Sequence, residues 1–294
     1  MKVAIYGQYY QNSTEPIIKD IFTFLIKNKV EMIIESHFLK ILFEKNLIEK
    51  EYPTFDSYTE LNSSFDMLIS IGGDGTILRA ATLVRDSGVP ILGINAGRLG
   101  FLATVQKDNI DKFMQFIIDK KYSVSKRTLL SLTCSPDNEA IQDINFALNE
   151  ISVSRKETTS MITIETYLND EYLNSYWADG LIIATPTGTT GYSMSCGGPI
   201  LTPDVKSIVI TPIAPHNLNA RPLVVPDETE IRLKVSGRDD HYMVSLDSRI
   251  ISVKNETVLL IKKSPFEINM VEIPEKTFLK TLRNKLFWGE DRRN

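Results

Sequence analysis

The chain has 294 residues, 43 % of them apolar and 24 % charged, and a formal net charge of -4. That length fits two packed domains or one large one, with ample apolar side chain for a core. The charge exerts no global pull toward nucleic acid or an anionic membrane, so neither is expected as a partner.

The first seven residues, Met1-Lys2-Val3-Ala4-Ile5-Tyr6-Gly7, read as a strand. Their apolar run is too short for a signal peptide and breaks at Gly7. Ser13, Thr14, Glu15 and Pro16 then open a helix over 14–27, with Ile17, Ile18, Ile21, Phe22, Leu25 and Ile26 at helical spacing. Strands are expected over 30–34, 66–71 and 90–94, and helices over 37–43, 76–85 and 109–118. This alternation predicts an α/β domain over 1–124, doubly wound on a mostly parallel sheet.

From about residue 125 the pattern changes. Strand signals fall at 129–134, 149–154, 161–168, 171–177, 181–184, 207–213, 230–235, 242–246 and 257–261, with Asn169-Asp170 as a hairpin turn. A short helix is expected near 189–196. Such spacing predicts an all-β sandwich over 125–274, followed by a 275–294 helical segment packing back on the first domain. No apolar stretch reaches the roughly 20 residues that span a bilayer. Cys134 and Cys196, the two cysteines, support neither a disulfide framework nor a zinc site, and a reducing cytoplasm is the expected home.

Chemistry concentrates in three places. In Ile69-Ser70-Ile71-Gly72-Gly73-Asp74-Gly75-Thr76 a buried strand runs through glycines into a helix. Gly72, Gly73 and Gly75 allow close backbone approach, and the helix start offers free N–H groups to phosphate. No Gly-Lys-Thr follows, so this is not a Walker A loop, and it lacks the dinucleotide fingerprint. Asp74 would repel phosphate unless it takes a proton as a general base or binds a metal. The second place is Asn149-Glu150, at the head of a strand. The third runs from Asp179-Gly180 to Thr185-Pro186-Thr187-Gly188-Thr189-Thr190-Gly191-Tyr192-Ser193, where hydroxyls and glycines suit ribose and phosphate oxygens.

Together with Gly197-Gly198-Pro199, Pro215-His216 and Ala220-Arg221-Pro222, these motifs resemble the NAD kinase family, in order along most of the chain. The glycine turn alone is shared with diacylglycerol and sphingosine kinases; the Thr/Gly block is more specific. The resemblance implies phosphate transfer from ATP or polyphosphate to the 2′-hydroxyl of the adenosine ribose of NAD. It also implies a divalent cation, usually Mg²⁺, and a homodimer or homotetramer. By the same resemblance Asp74 is the general base beside Gly75, and Arg79 is a basic residue near the phosphates. Asn149, Glu150 and Asp179 would contact NAD. Thr187, Thr190, Gly191, Tyr192, Ser193, Met194 and Ser195 would form its adenine and ribose wall, with Ala214 lining the pocket.

Three positions depart from the family's pattern. Ser160 stands where relatives often carry His or Arg, Trp177 where a basic residue is common, and Arg249 where Gln is common. Each falls where donor or acceptor preference could be set. His37, His216, His241 and Cys196 read as structural or surface residues. Arg283, Lys285, Arg292 and Arg293 form a basic tail, with Trp288 expected to dock it on apolar surface. Two rival functions use the same residues: a lipid kinase, and a silent NAD-binding sensor that the presence of Asp74 argues against.

Overall fold

The computed structural model describes residues 1–9, 14–97, 99–106, 110–156, 160–274 and 276–288. Ser13, Arg98, Asn109, Arg292 and Arg293 lie outside the described residues. The chain divides into two compact units, Met1–Lys126 with Ile268–Asn294, and Arg127–Glu267.

The first unit runs β1 (Lys2–Gly7), α1 (Glu15–Lys27), β2 (Glu31–Glu35), α2 (Ser36–Glu44), β3 (Thr54–Phe55), β4 (Met67–Gly72), α3 (Asp74–Val84), β5 (Ile91–Asn95), β6 (Val105–Gln106), α4 (Ile110–Ile118) and β7 (Ser123–Arg127). Its sheet orders β3-β2-β1-β4-β5, then Ile268–Glu272, then β7, with β6 also on β5. The β1–β2, β1–β4 and β4–β5 pairs are parallel. β4 and β5 are buried along their whole length, as strands covered on both faces must be. In α1, Pro16 presets the first turn, and of the predicted stripe Ile17, Ile18, Ile21, Phe22 and Leu25 are buried while Ile26 is exposed. The chain reverses its sheet direction between β1 and β4. A doubly wound sheet binds ligands at the carboxyl ends of strands at that switch, and here those ends are Gly7 and Gly72.

One boundary differs from the sequence expectation. The sandwich stops at Glu267 rather than 274, because Ile268–Glu272 pairs in parallel with β5 through Met270 and Ile91. The terminal helix Phe278–Leu286 belongs to the first unit. It docks through Leu282, Thr281 and the Phe101–Phe278 ring pair at 6.2 Å. Trp288, expected to dock the tail, is 56 % exposed.

The second unit holds two six-stranded sheets. One orders Leu223–Pro226, Ser207–Ile213, Gly180–Ala184, Glu150–Ser154, His241–Leu246 and Arg249–Lys254. The other orders Glu171–Ala178, Ile162–Leu168, Ile231–Ser236, Val258–Lys263, Leu130–Ser135 and Phe146–Ala147. Alternate residues along Ile162–Leu168 and Ile231–Ser236 face inward, and both sheets share one apolar core. Asn169 and Asp170 turn the Ile162–Leu168 hairpin with φ of 48° and 67°, the left-handed pair a tight two-residue turn needs. Among the described residues no helix is long and apolar enough to cross a membrane.

Candidate active site

In the first unit the glycine turn leaves β4 and enters α3 with Gly73 as N-cap and Asp74 as first helical residue. Gly72 is required. Its φ is +157°, and a Cβ there would sit 2.2 Å from Thr76 Oγ1. That hydroxyl takes the Gly73 N–H at 3.2 Å and donates to Gln8 Oε1 at 3.2 Å, tying the ends of β4 and β1 together. Gly73 and Gly75 have nothing within 4 Å of the place a Cβ would occupy. Open space therefore lies over the start of α3, where first-turn N–H groups and the positive dipole end favour an anion. Arg79 is exposed on the same helix.

Asp74 does not hang free. Its Oδ2 accepts the Phe101 N–H at 2.8 Å, and its Oδ1 accepts the Leu102 and Ala103 N–H groups, both at 3.0 Å. A carboxylate offers about four lone-pair sites, so roughly one remains, on Oδ2. Gly100 is what lets the loop come this close, since a Cβ there would fall 1.8 Å from Asp74 Oδ1. The loop is held from behind: Lys285 Nζ donates to Leu99 O at 2.7 Å. Sequence reasoning did not find Gly100 or the 101–103 amides, because the pairing spans more than 25 residues and leaves no local signature.

In the second unit the strand starting at Glu150 lies between Gly180–Ala184 and His241–Leu246. Thr185, just beyond Ala184, donates its N–H to Asn149 O at 2.9 Å and its hydroxyl to Leu148 O at 2.6 Å, and accepts the Gly188 N–H at 3.0 Å. Gly188 must be glycine, because a Cβ would meet Asn149 O at 1.9 Å. The 3-10 turn Thr187–Thr190 is thus pressed onto Asn149-Glu150.

This packing changes the expected wall of free hydroxyls. Thr189 donates to Pro186 O at 2.6 Å, Thr190 to Thr187 O at 3.1 Å, and Ser193 pairs with Thr211 at 2.8 Å. Ser193 is fully buried against Thr211, and Thr187 is buried as well. Tyr192 and Ser195 are exposed, while Gly191 and Met194 are half-buried, so these residues offer surface to a ligand. Polar capacity is left elsewhere: Asn149 Oδ1 and Glu150 Oε2 are buried without a partner among the described residues. Burial above all, then the charge of Asp247, pushes the Glu150 carboxyl up to about 8, against the opposing Tyr192 N–H.

The remaining predicted residues scatter around this core. Asp179 pairs with Arg155 Nε at 2.9 Å. Trp177, 52 % exposed, lies against the His216 ring at 4.4 Å. Ala214 is exposed with φ +42°, and Ser160 is half-buried. Arg249 turns inward: its guanidinium donates to Ile144 O at 2.7 Å and to Phe146 O. Among the described residues no group of three or more His, Cys, Asp or Glu is arranged to hold a metal ion.

Residues 3–122 match the ATP-NAD kinase N-terminal domain and residues 148–273 the ATP-NAD kinase C-terminal domain. The chain belongs to the NAD kinase family. It is 73 % identical to the NAD kinase of Flavobacterium johnsoniae and 54 % identical to that of Christiangramia forsetii, each over the whole of both chains. The fold is similar to yeast NADH kinase complexed with NADH, with a TM-score of 0.88 and 24 % identity over 99 % of this chain and 88 % of that one. It is also similar to an NAD kinase from Archaeoglobus fulgidus in complex with ATP, with a TM-score of 0.73 and 26 % identity over 98 % of each. The α/β unit with an antiparallel β unit is therefore the family's fold, and the phosphotransferase class expected from the motifs holds.

Proposed function

We propose that this member of the NAD kinase family phosphorylates NAD with Asp74 as the base for the 2′-hydroxyl of the adenosine ribose. The observation that carries the role is the carboxylate's setting. Three backbone amides aim Asp74 and leave about one acceptor position on Oδ2, beside open space at the start of α3. In the step, the hydroxyl proton passes to Asp74 Oδ2 and the ribose oxygen bonds the donor's terminal phosphorus. The bond from that phosphorus to the bridging oxygen breaks, and the nucleoside diphosphate leaves with the electron pair when ATP is the donor. The α3 N–H groups and Arg79 stabilise the charge on the moving phosphoryl group.

NAD is recognised through Asn149 and Glu150, whose buried orphan oxygens need partners, and through Asp179, Tyr192, Met194, Ser195 and Ala214. ATP and polyphosphate both suit a site that reads only phosphate. A divalent cation fits as a companion of the donor's phosphates rather than as a resident of a carboxylate cage, because Asp74 is largely engaged by amides. The cation supplies charge neutralisation to the phosphates. The unpaired, half-buried Cys134 and Cys196 support a cytoplasmic home, and homo-oligomeric assembly is carried over from the family likeness.

Asp74→Asn tests the base. NAD binding measured by calorimetry should persist while turnover drops by about 10²–10⁴-fold. A variant that forms NADP at the normal rate removes Asp74 from this role.

A further inference from the structure

Asp247 lies on the turn between His241–Leu246 and Arg249–Lys254, nearly a hundred residues along the chain from Asn149. Its carboxylate accepts three successive backbone N–H groups: Leu148 at 2.9 Å, Asn149 at 2.7 Å and Glu150 at 3.2 Å. Its own N–H donates to Glu150 O at 3.0 Å. The residue holds φ +54°, a left-handed conformation fixed in part by Ser245, whose hydroxyl donates to Asp247 O at 2.6 Å. Two residues on, Arg249 donates to Ile144 O and Phe146 O and lies 3.9 Å from Asp247 Oδ2. The turn thus grips the 144–150 segment by its donors and its acceptors.

A side chain only 4 % exposed is an expensive place for a carboxylate. A turn needs no such charge for its own sake. The expense makes sense if the segment that it grips must be held to a small tolerance, and that segment ends in the two orphan oxygens of Asn149 and Glu150.

We propose that Asp247 and Arg249 are positioning residues for the nucleotide, a clamp that sets Asn149 and Glu150 in ligand-binding geometry. The inference rests on the assignment of that pair to NAD recognition. The clamp also sets charge. Asp247 and Tyr192 face Glu150, and Arg249 acts on it through Asp247. Three amides and Arg249 support the ionised form of Asp247, opposing its burial, whereas Glu150 receives one N–H against the charge of Asp247. Burial pushes both carboxyls up, and Glu150 is the one with fewer groups supporting its charge. Glu150 meets the ligand as a neutral acid able to donate a hydrogen bond through Oε2, as in other sites where a buried carboxyl is kept protonated.

The test is steady-state kinetics of NADP formation from about pH 6 to about pH 10, with kcat and KM for NAD separated. In the wild-type protein kcat/KM for NAD should fall as pH rises through the Glu150 transition near 8. Asp247→Asn should raise KM by about 10-fold, lower kcat less, and move the alkaline limb to lower pH, since the charge that adds to burial in raising Glu150 is gone. A purely structural residue would lower activity equally at every pH and leave the limb in place; that result overturns the clamp. Should Asp247→Asn fail to fold, Arg249→Lys carries the test. It keeps the charge and loses the fork on Ile144 and Phe146, so KM should rise by about 10-fold with the limb unmoved. An unchanged KM overturns the proposal. Calorimetric NAD binding on the same variants reads the same shifts without turnover, so a protein that binds NAD but makes no NADP refutes the kinase reading and not the clamp.

Discussion

Gly100→Ala should disable the enzyme without touching a substrate. A methyl group at residue 100 would fall 1.8 Å from Asp74 Oδ1, 2.4 Å from Cγ and 2.7 Å from Oδ2. Real Cβ contacts essentially never fall below 3.0 Å, so something must give by about 1.2 Å. Either the carboxylate swings out or the loop withdraws and takes the Phe101, Leu102 and Ala103 amides with it. Both displace the base by roughly 1 Å, and a misplacement of that size costs about 10²-fold in rate, which is about 2.7 kcal/mol of barrier. KM for NAD should hold within about twofold, since Asn149 and Glu150 belong to the other unit. Gly97→Ala is the control: nothing lies within 4 Å of its added methyl, and its turnover should stay within about twofold of wild type. The assay is kcat for NADP formation on protein shown by thermal melting to be folded. If Gly100→Ala keeps kcat within about threefold of wild type, Asp74 is not held by this loop in the working enzyme.

Two further outcomes follow from the second unit. The Glu150 carboxyl is raised in the folded state, so its contribution to stability should be fully present below about pH 4.5 and be lost as pH rises toward 8. The loss should be on the order of a few kcal/mol and should be smaller in Glu150→Gln, where the raised Asp247 remains; urea melts at both ends of that window check it, and parallel curves for the two proteins would refute it. Thr185→Val should cost about 2–3 kcal/mol in the same melts, because it strands the Leu148 carbonyl and the Gly188 N–H in the interior; a loss under about 0.5 kcal/mol would show that the hydroxyl is dispensable.

Much of this was written locally. The β4–turn–α3 junction, the buried stripe of α1 and the Asn169-Asp170 hairpin each declare themselves within a dozen residues, through periodicity and turn chemistry. What was not legible depends on partners far away in the chain. Ile268–Glu272 has a short apolar pattern that fits either unit, and only its pairing with Ile91 decides. Gly100 reads as an ordinary loop glycine until Asp74 arrives beside it. Asp247 looks like a turn residue until the 148–150 amides are folded onto it. The hydroxyl run misled in the other direction. Its side chains suggested donors waiting for a ligand, whereas Thr189 and Thr190 spend theirs on the turn itself and Ser193 pairs with Thr211 on the neighbouring strand.

The strand Ile268–Glu272 also sets an order of events. During synthesis the first unit emerges early but cannot finish its sheet, since the strand that covers β5 at Ile91 comes after the whole 127–267 insert. The insert is one uninterrupted stretch and can close its own core first. Until residue 272 is available, part of the β5 edge stays open to pairing with another chain, and parallel pairing over such a separation is slow. The half that begins the polypeptide is therefore the half whose sheet can be completed only at the end, and a chain cut short inside the sandwich carries the glycine-turn residues but lacks the strand that covers Ile91.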